Sequence, residues 1–299
     1  AAKDIILEML RRTTVKGGVG KVYEYVGEGV ETLSIPERLT IANMGAEMGA
    51  TTSVFPADGQ VRAFLKAQGR EQDYTEWLPD AGCGYDEEIQ LDLDALEPLV
   101  ACPHMPDNVM KVADVPKIPV QQVFIGSCTN GSYSDFKKVA LVLKEHKINP
   151  DVSLVLGISS RQIYLRLLQD GVIADLVDSG ARITEFACGP CCGIGIAPSS
   201  KGISVRTSNR NFKGRSSTAD ASLYLVSPEV AAATAIKGRL ALPQEVMDDV
   251  SVLGTVKEQE TYPINDNLFL LPPEDGRDIS IVRGPNIKPL PVADPPEET

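Results

Sequence analysis

The stretch VQQVFIGSCTNGSYSDFKKVALVLKEH, residues 120–146, decides the fold. Val120–Ile125 is a short apolar run with the length of a buried strand, and Ser134–His146 has the spacing of a helix. The same alternation continues outward. Val152–Leu156 reads as a strand, Arg161–Leu176 as a helix, and Arg182–Ala187 and Ile203–Thr207 as strands. Pro228–Lys237 reads as a helix with Ser227 at its N-cap and Pro228 at the first helical position. Strands alternating with helices predict an α/β fold with a mainly parallel sheet covered on both faces. Upstream, Asp4–Arg12 is amphipathic and Val19–Val26 reads as a strand. A helix then runs from Ser34-Ile35-Pro36 to about Met48, with Ser34 as N-cap. The Pro-rich segment Val115–Pro119 divides the chain into a domain over 1–114 and a second over 115–272. The Pro- and acid-rich residues 273–299 read as a linker toward a further domain.

The chain has 299 residues, 43% apolar and 23% charged, which fits a cored globular protein of about two domains. No apolar run reaches the roughly 18 residues of a membrane span, and no signal peptide is visible, so a cytoplasmic protein is expected. A net charge of −12 repels phosphate backbones and argues against a nucleic-acid partner. An anionic substrate then requires arginines concentrated in one place. The start AAKD, without Met, is expected of a processed or truncated product.

The unusual residues fall just after the predicted strands. Gly126-Ser127-Cys128-Thr129-Asn130 follows the first strand of the regular region. Cys188-Gly189-Pro190-Cys191 follows Arg182–Ala187, and Asn209-Arg210-Asn211-Phe212-Lys213-Gly214-Arg215 follows Ile203–Thr207. The carboxyl ends of parallel strands share one edge, where ligands bind. Three loops are therefore expected to converge on one crevice holding Cys128, Cys188, Cys191, Arg210 and Arg215. Three cysteines suit a cubane iron–sulfur cluster with one iron lacking a thiolate, which can act as a Lewis acid. Two guanidiniums suit a di- or tricarboxylate, although solvated loop arginines are the commoner case. Of the remaining thiols, Cys83 and Cys102 stand alone and read as small buried hydrophobes. His104 and His146 lie outside these loops and read as ordinary.

Other chemistries use similar residues. Disulfides belong to short secreted chains. Cys-Gly-Pro-Cys is also a thioredoxin-like redox motif, but there the first Cys opens a long helix, whereas Gly193, Gly195 and Pro198 follow here. A structural zinc needs a fourth ligand; Cys192 is adjacent in the same loop and both histidines are distant. Asn43 and Glu47 lie four apart on the helix from Ser34 and share a face, which spacing alone reads equally well as a solvated polar face.

These segments resemble aconitase and its relatives. The resemblance rests on GSCTNGSYSDF at 126–136, ACGPC at 187–191 and SNRNFKGRSS at 208–217. NMGAEMGATTSVFP at 43–56, ACPHMPDNV at 101–109, VSPEVAAATAIKG at 226–238 and RGPNIKPLP at 283–291 extend it along the chain. It implies two α/β/α three-layer domains, with Cys128, Cys188 and Cys191 holding a [4Fe-4S] cluster. Asn43, Glu47 and Asn209 would line the cluster and its labile iron. Arg210 and Arg215 would bind substrate carboxylates, and Glu47 would handle a proton. The implied reaction is reversible dehydration of a hydroxy tricarboxylic acid, citrate or isocitrate through cis-aconitate, in the tricarboxylic acid cycle. The run into RGPNIKPLP and the style of residues 202–218 favour the fused-chain bacterial aconitate hydratase. Homoaconitase or the large subunit of isopropylmalate dehydratase is the alternative, and a cluster-free RNA-binding relative a more distant one. Two positions depart from the pattern: Cys192 stands where relatives carry an aliphatic residue, and Gly131 replaces a frequent Ser. Nothing here resembles the family's His-rich first domain or its mobile last domain. The chain is therefore expected to match the second and third domains only, with the others as its missing partners, and to be inactive alone.

Overall fold

The computed structural model describes residues 1–267, 269–280 and 282–288. The linker reading over 273–299 and the RGPNIKPLP segment extend past Lys288, outside the described residues. Residues Ala1–Ile264 form one compact unit and Asn265–Thr299 a second. The first unit carries every helix and strand among the described residues.

The helices are α1 (Ala2–Thr13), α2 (Glu28–Glu31), α3 (Ile35–Gly45), α4 (Gly59–Ala67), α5 (Tyr133–Leu143), α6 (Arg161–Gln169), α7 (Val172–Asp178) and α8 (Pro228–Lys237). The strands are β1 (Val22–Glu24), β2 (Thr52–Val54), β3 (Leu99–Ala101), β4 (Val109–Lys111), β5 (Gln122–Gly126), β6 (Ser153–Gly157), β7 (Arg182–Ile183), β8 (Ile203–Arg206) and β9 (Ser222–Leu225). β1 and β2 make a small parallel pair, with Val22 opposite Thr52. The other seven form one sheet in the order β4-β3-β9-β8-β5-β6-β7. β9, β8, β5, β6 and β7 run parallel; β3 joins β9 antiparallel and pairs antiparallel with β4. The protein is thus a mixed α/β fold with a mainly parallel sheet, as the alternating pattern predicts.

Side-chain alternation along the strands sets the layers. Val123, Ile125, Leu154, Leu156 and Val205 face a core shared with Phe136 and Val139 of α5, Leu176 of α7 and Ala231–Ala233 of α8. Phe124 and Val155 face the opposite side, where Ile196 and the half-buried Cys191 pack. Farther along that side, Leu99, Ala101 and Leu225 meet Ile6, Leu10, Ile41 and Met44 from α1 and α3. Residues 1–114 and 115–272 therefore share a sheet, since β3 and β4 form its far edge.

Local chemistry explains the boundaries. Ser34 caps α3 as the sequence predicts: its Oγ accepts from the Glu37 N–H at 3.5 Å, and Glu37 Oε2 accepts from the Ser34 N–H at 3.0 Å. Ser132 and Asp135 make the same reciprocal cap on α5. The predicted helix 161–176 is two helices, because Gly171 between them sits in the left-handed region at φ 75°. The predicted strand 182–187 keeps ladder pairing only at Arg182 and Ile183.

Candidate functional site

The loop after β5 begins with Gly126 at φ 128°, where a Cβ would meet the Gly157 carbonyl oxygen at 2.0 Å. Only glycine lets β5 run this close to β6 and then turn out into Ser127-Cys128. Cys128 and Cys188 are exposed and Cys191 half-buried; all three are free thiols. Cys188 is the N-cap of a 3₁₀ turn over Gly189–Cys192. Side chains three apart eclipse in such a turn, so Cys188 and Cys191 share a face and Cys192 turns away. Cys192 Sγ instead accepts from Arg215 Nη1 at 3.1 Å. Gly193 ends the turn at φ 93°, where a Cβ would meet the Ser216 carbonyl at 2.1 Å.

Helix α3 ties these loops together. Thr40 Oγ1 donates to the Thr129 carbonyl at 2.6 Å. Asn43 donates through Nδ2 to Cys128 Sγ at 3.5 Å and accepts from Thr129 Oγ1 at 3.0 Å. One turn on, Glu47 is 6% exposed. Its Oε1 accepts from Asn209 Nδ2 at 3.2 Å and from Arg210 Nε at 2.7 Å. The Arg210 side chain is 41% exposed, so its guanidinium tip reaches solvent while its Nε is anchored. Among the described residues Glu47 Oε2 accepts no hydrogen bond. The pairs Asn43–Cys128, Glu47–Asn209 and Glu47–Arg210 are therefore in contact, linking the α3 segment to the loops after β5 and β8.

Two side chains that the sequence reading missed lie beneath these loops. Lys3 is fully buried and donates from Nζ to the carbonyls of Thr207 at 2.7 Å and Ser208 at 3.0 Å, with Met44 Sδ at 3.3 Å. Burial pushes its pKa down to about 7, against the pull of Asp135, Asp4, Cys128 and Cys191. Arg206, also fully buried, donates to Ser204 Oγ at 2.9 Å, Gln122 Oε1 at 2.8 Å and the Cys191 carbonyl at 3.3 Å. It lies 5.5 Å from the centre of the Phe124 ring. Burial lowers its pKa to about 10. Burial likewise raises the Cys191 thiol, with Cys128 adding to the rise while the Ser127 side chain, Arg206 and Arg215 pull it back. A signal for Lys3 existed: it stands on the apolar stripe Ile6, Leu7, Leu10 at helical spacing, where an unpaired lysine is out of place.

Three sequence readings need correction. Cys83 is exposed rather than buried, with its Sγ 3.4 Å from the Tyr85 hydroxyl. Asn43 and Glu47 are not a solvated face, since both are engaged by the loops. His104 does not lie apart from the motif loops: its backbone makes a parallel bridge with Phe212, between Arg210 and Arg215. His146 is ordinary, with Nε2 2.9 Å from the Val246 carbonyl. Cys102 packs against the main core, and burial raises its thiol pKa.

A cavity of about 160 Å³ opens beside Cys128, lined also by Leu39, Phe64, Ser159 and Tyr262. A larger cavity of about 890 Å³, lined by Tyr23, Tyr25, Glu87 and Leu91, contains none of the six cysteines. The strand-end loops carry Cys128 against Asn43, Arg210 against Glu47 and Arg215 against Cys192.

No group of three or more His, Cys, Asp or Glu side chains converges as a single-ion site among the described residues. That is compatible with a cubane, whose ligands bind separate irons rather than one point. The donor set fits: free soft thiols, an amide on Cys128, and buried cations alongside. The Cys128 loop and the carboxylate-anchored Arg210 are both tied to the α3 segment at this sheet edge. The aconitase family profile (aconitate hydratase) matches residues 1–238, and the chain belongs to the aconitase family. It is 44% identical to 3-isopropylmalate dehydratase large subunit 1 of Thermotoga maritima over 246 residues, 81% of this chain and 59% of that protein. It is 41% identical to 3-isopropylmalate dehydratase large subunit 2 of Archaeoglobus fulgidus over 248 residues, 82% and 59% of the two chains. With the large subunit from Moorella thermoacetica the figures are 38% over 246 residues, 82% and 58%. The chain thus spans about three fifths of the length of these relatives. No helix among the described residues is long and apolar enough to cross a membrane.

Proposed function

We propose that this chain is the cluster-bearing portion of an iron–sulfur hydro-lyase of the 3-isopropylmalate dehydratase type, acting with a separate small subunit. The observation that carries the chemistry is Glu47 holding Asn209 and Arg210 while Asn43, one helical turn back, holds Cys128. The substrate class is supported by the relatives, which are named for isopropylmalate. This replaces citrate or isocitrate as the preferred substrate, and with it the place in the tricarboxylic acid cycle. The relatives are also named as large subunits, which favours a separate partner chain over the fused form. The division at 114/115 stays part of the proposal, supported by one hydrophobic cluster centred on α1 and α3 and another on α5, α7 and α8, with Val100, Val112 and Leu225 crossing between the two parts.

Cys128, Cys188 and Cys191 would hold a [4Fe-4S] cluster, which when bound supplies an iron with an open coordination position as Lewis acid. The chain's own residues do the rest. Arg210 and Arg215 bind substrate carboxylates, for which a guanidinium offers paired donors. Glu47 Oε1 is occupied, so Oε2 is the atom that takes or returns a proton at the substrate hydroxyl. Asn43 and Thr40 hold the Cys128 loop against α3, so the thiol is pre-oriented.

The test is anaerobic reconstitution with iron and sulfide. A brown protein with broad visible absorption is expected. Cys128→Ser, Cys188→Ser and Cys191→Ser should each lose most of it, whereas Cys83→Ser and Cys102→Ser should not. One equivalent of zinc with no iron uptake would refute the cluster. Colour lost in Cys192→Ser but kept in Cys191→Ser would refute the ligand register.

A further inference from the structure

Lys3 and Arg206 are both fully buried cations, and neither makes a salt bridge among the described residues. Their hydrogen-bond partners are neutral: carbonyls, a thioether, a hydroxyl and an amide oxygen. The charged groups facing Lys3 are committed elsewhere. Asp4 Oδ1 accepts from the Leu99 N–H at 2.9 Å, and Asp135 is taken by Ser132 and Asn130. Burial disfavours the charged form of both side chains, and an anion placed beside them would favour it. Neither can serve the substrate, because neither reaches the surface.

The anion that completes them is at the thiol loops. Arg206 donates to the Cys191 carbonyl at 3.3 Å, and Lys3 to the Thr207 and Ser208 carbonyls at the head of the loop carrying Asn209 and Arg210; the thiols of Cys128 and Cys191 favour the charged forms. A four-iron cluster with three thiolates carries net negative charge. It would be added to a chain of net charge −12, whose long-range field opposes another anion. We propose that Lys3 and Arg206 form a buried counter-charge for the iron–sulfur anion, built into α1 and β8 beneath the thiol loops. They are positioning residues: they touch neither substrate nor iron, and act by setting the potential at the cluster. The cluster offsets the cost of burying them, and they hold the cluster's electrons at lower energy.

The inference rests on the cluster reading above. The experiment separates the two by comparing the parent chain with Lys3→Met and Arg206→Gln. Each is examined with and without cluster for thermal unfolding, and after anaerobic loading for midpoint potential and iron loss to a chelator. Lys3→Met removes the donor to the Thr207 and Ser208 carbonyls as well as the charge, so the readout is the gain in thermal stability on loading, which should be smaller in both variants than in the parent. Loaded, both variants should show a more negative midpoint potential and lose iron about tenfold faster. An equal gain in stability on loading in parent and variants, or loaded variants with unchanged potential and iron loss, would make these side chains structural clips and overturn the inference. A parent chain that never takes up iron and sulfide would overturn the cluster reading and this inference together.

Discussion

At the scale of single residues, the site turns on how Glu47 and two arginines divide their donors and acceptors. Arg210 gives Nε to Glu47 and keeps its tip for solvent or substrate. Arg215 spends one terminal nitrogen on Cys192 Sγ, which fixes the guanidinium against the 3₁₀ turn. Lysine reproduces neither arrangement, since a single ammonium cannot hold an internal partner and a carboxylate in one plane. In the assembled enzyme, Arg210→Lys and Arg215→Lys should each cost roughly 1.5–3 kcal/mol in kcat/KM, on the order of tenfold to a hundredfold. Steady-state kinetics on 3-isopropylmalate and on citrate measure this. Unchanged turnover in both variants would return the arginines to ordinary surface residues. The cysteines and arginines were legible because unusual residue types follow apolar runs. Arg206 was not, because sequence rules place charges outside and give no sign when a cation is held inside, and Lys3 was marked only by its place on an apolar helical stripe.

At the scale of elements, α3 is the frame of the site, and its entry is held by Arg38. This guanidinium is 3% exposed and donates to the carbonyls of Leu33, Val30 and Pro56 and to both Asp58 oxygens, the shortest at 2.6 Å. Arg38→Met leaves three carbonyls and a carboxylate unpaired and should cost about 3–5 kcal/mol, read by denaturant unfolding. Burial pushes the Asp58 carboxyl up, but Arg38 and the Val61 and Gln60 N–H groups outweigh it and hold it below the usual range. The stability it contributes is therefore complete above the ordinary carboxylate pKa of about 3.9 and lost as pH falls through its lower folded value. Asp58→Asn should flatten that acid limb, and an unaltered acid melting profile would show the pair to be irrelevant. Element reading from sequence succeeded where chain punctuation is strong: α8 is bounded by Ser227-Pro228 and by Gly238 at φ 69°, and its predicted limits hold. It missed β9, whose four residues Ser-Leu-Tyr-Leu are too short to display a period. It merged α6 and α7 because a single glycine inside an apolar period does not announce its backbone angle.

At the scale of the whole molecule, the site is partial chemistry in a chain matching about 59% of its Thermotoga relative. Dehydration needs a Lewis acid, a base at the acidic carbon and carboxylate clamps together. In the function proposed above Glu47 serves one end of the reaction, and that proposal requires a second proton-handling group. We expect no turnover of 3-isopropylmalate or citrate by the loaded chain alone, and turnover once the remaining parts of the enzyme are supplied. Appreciable activity of the chain alone, in an assay following the unsaturated intermediate, would mean the second group lies within it. The contacts that close the site also span long stretches of chain: 85 residues from Asn43 to Cys128, 163 from Glu47 to Arg210 and 205 from Lys3 to Ser208. Loop closure over such separations is slow, and during synthesis the amino-terminal helix leaves the ribosome long before the strand it clasps. Cys128 therefore emerges before Cys188, Cys191 and the strand clasped by Lys3 exist, so under the proposed function metal delivery belongs after β8 has been made and docked.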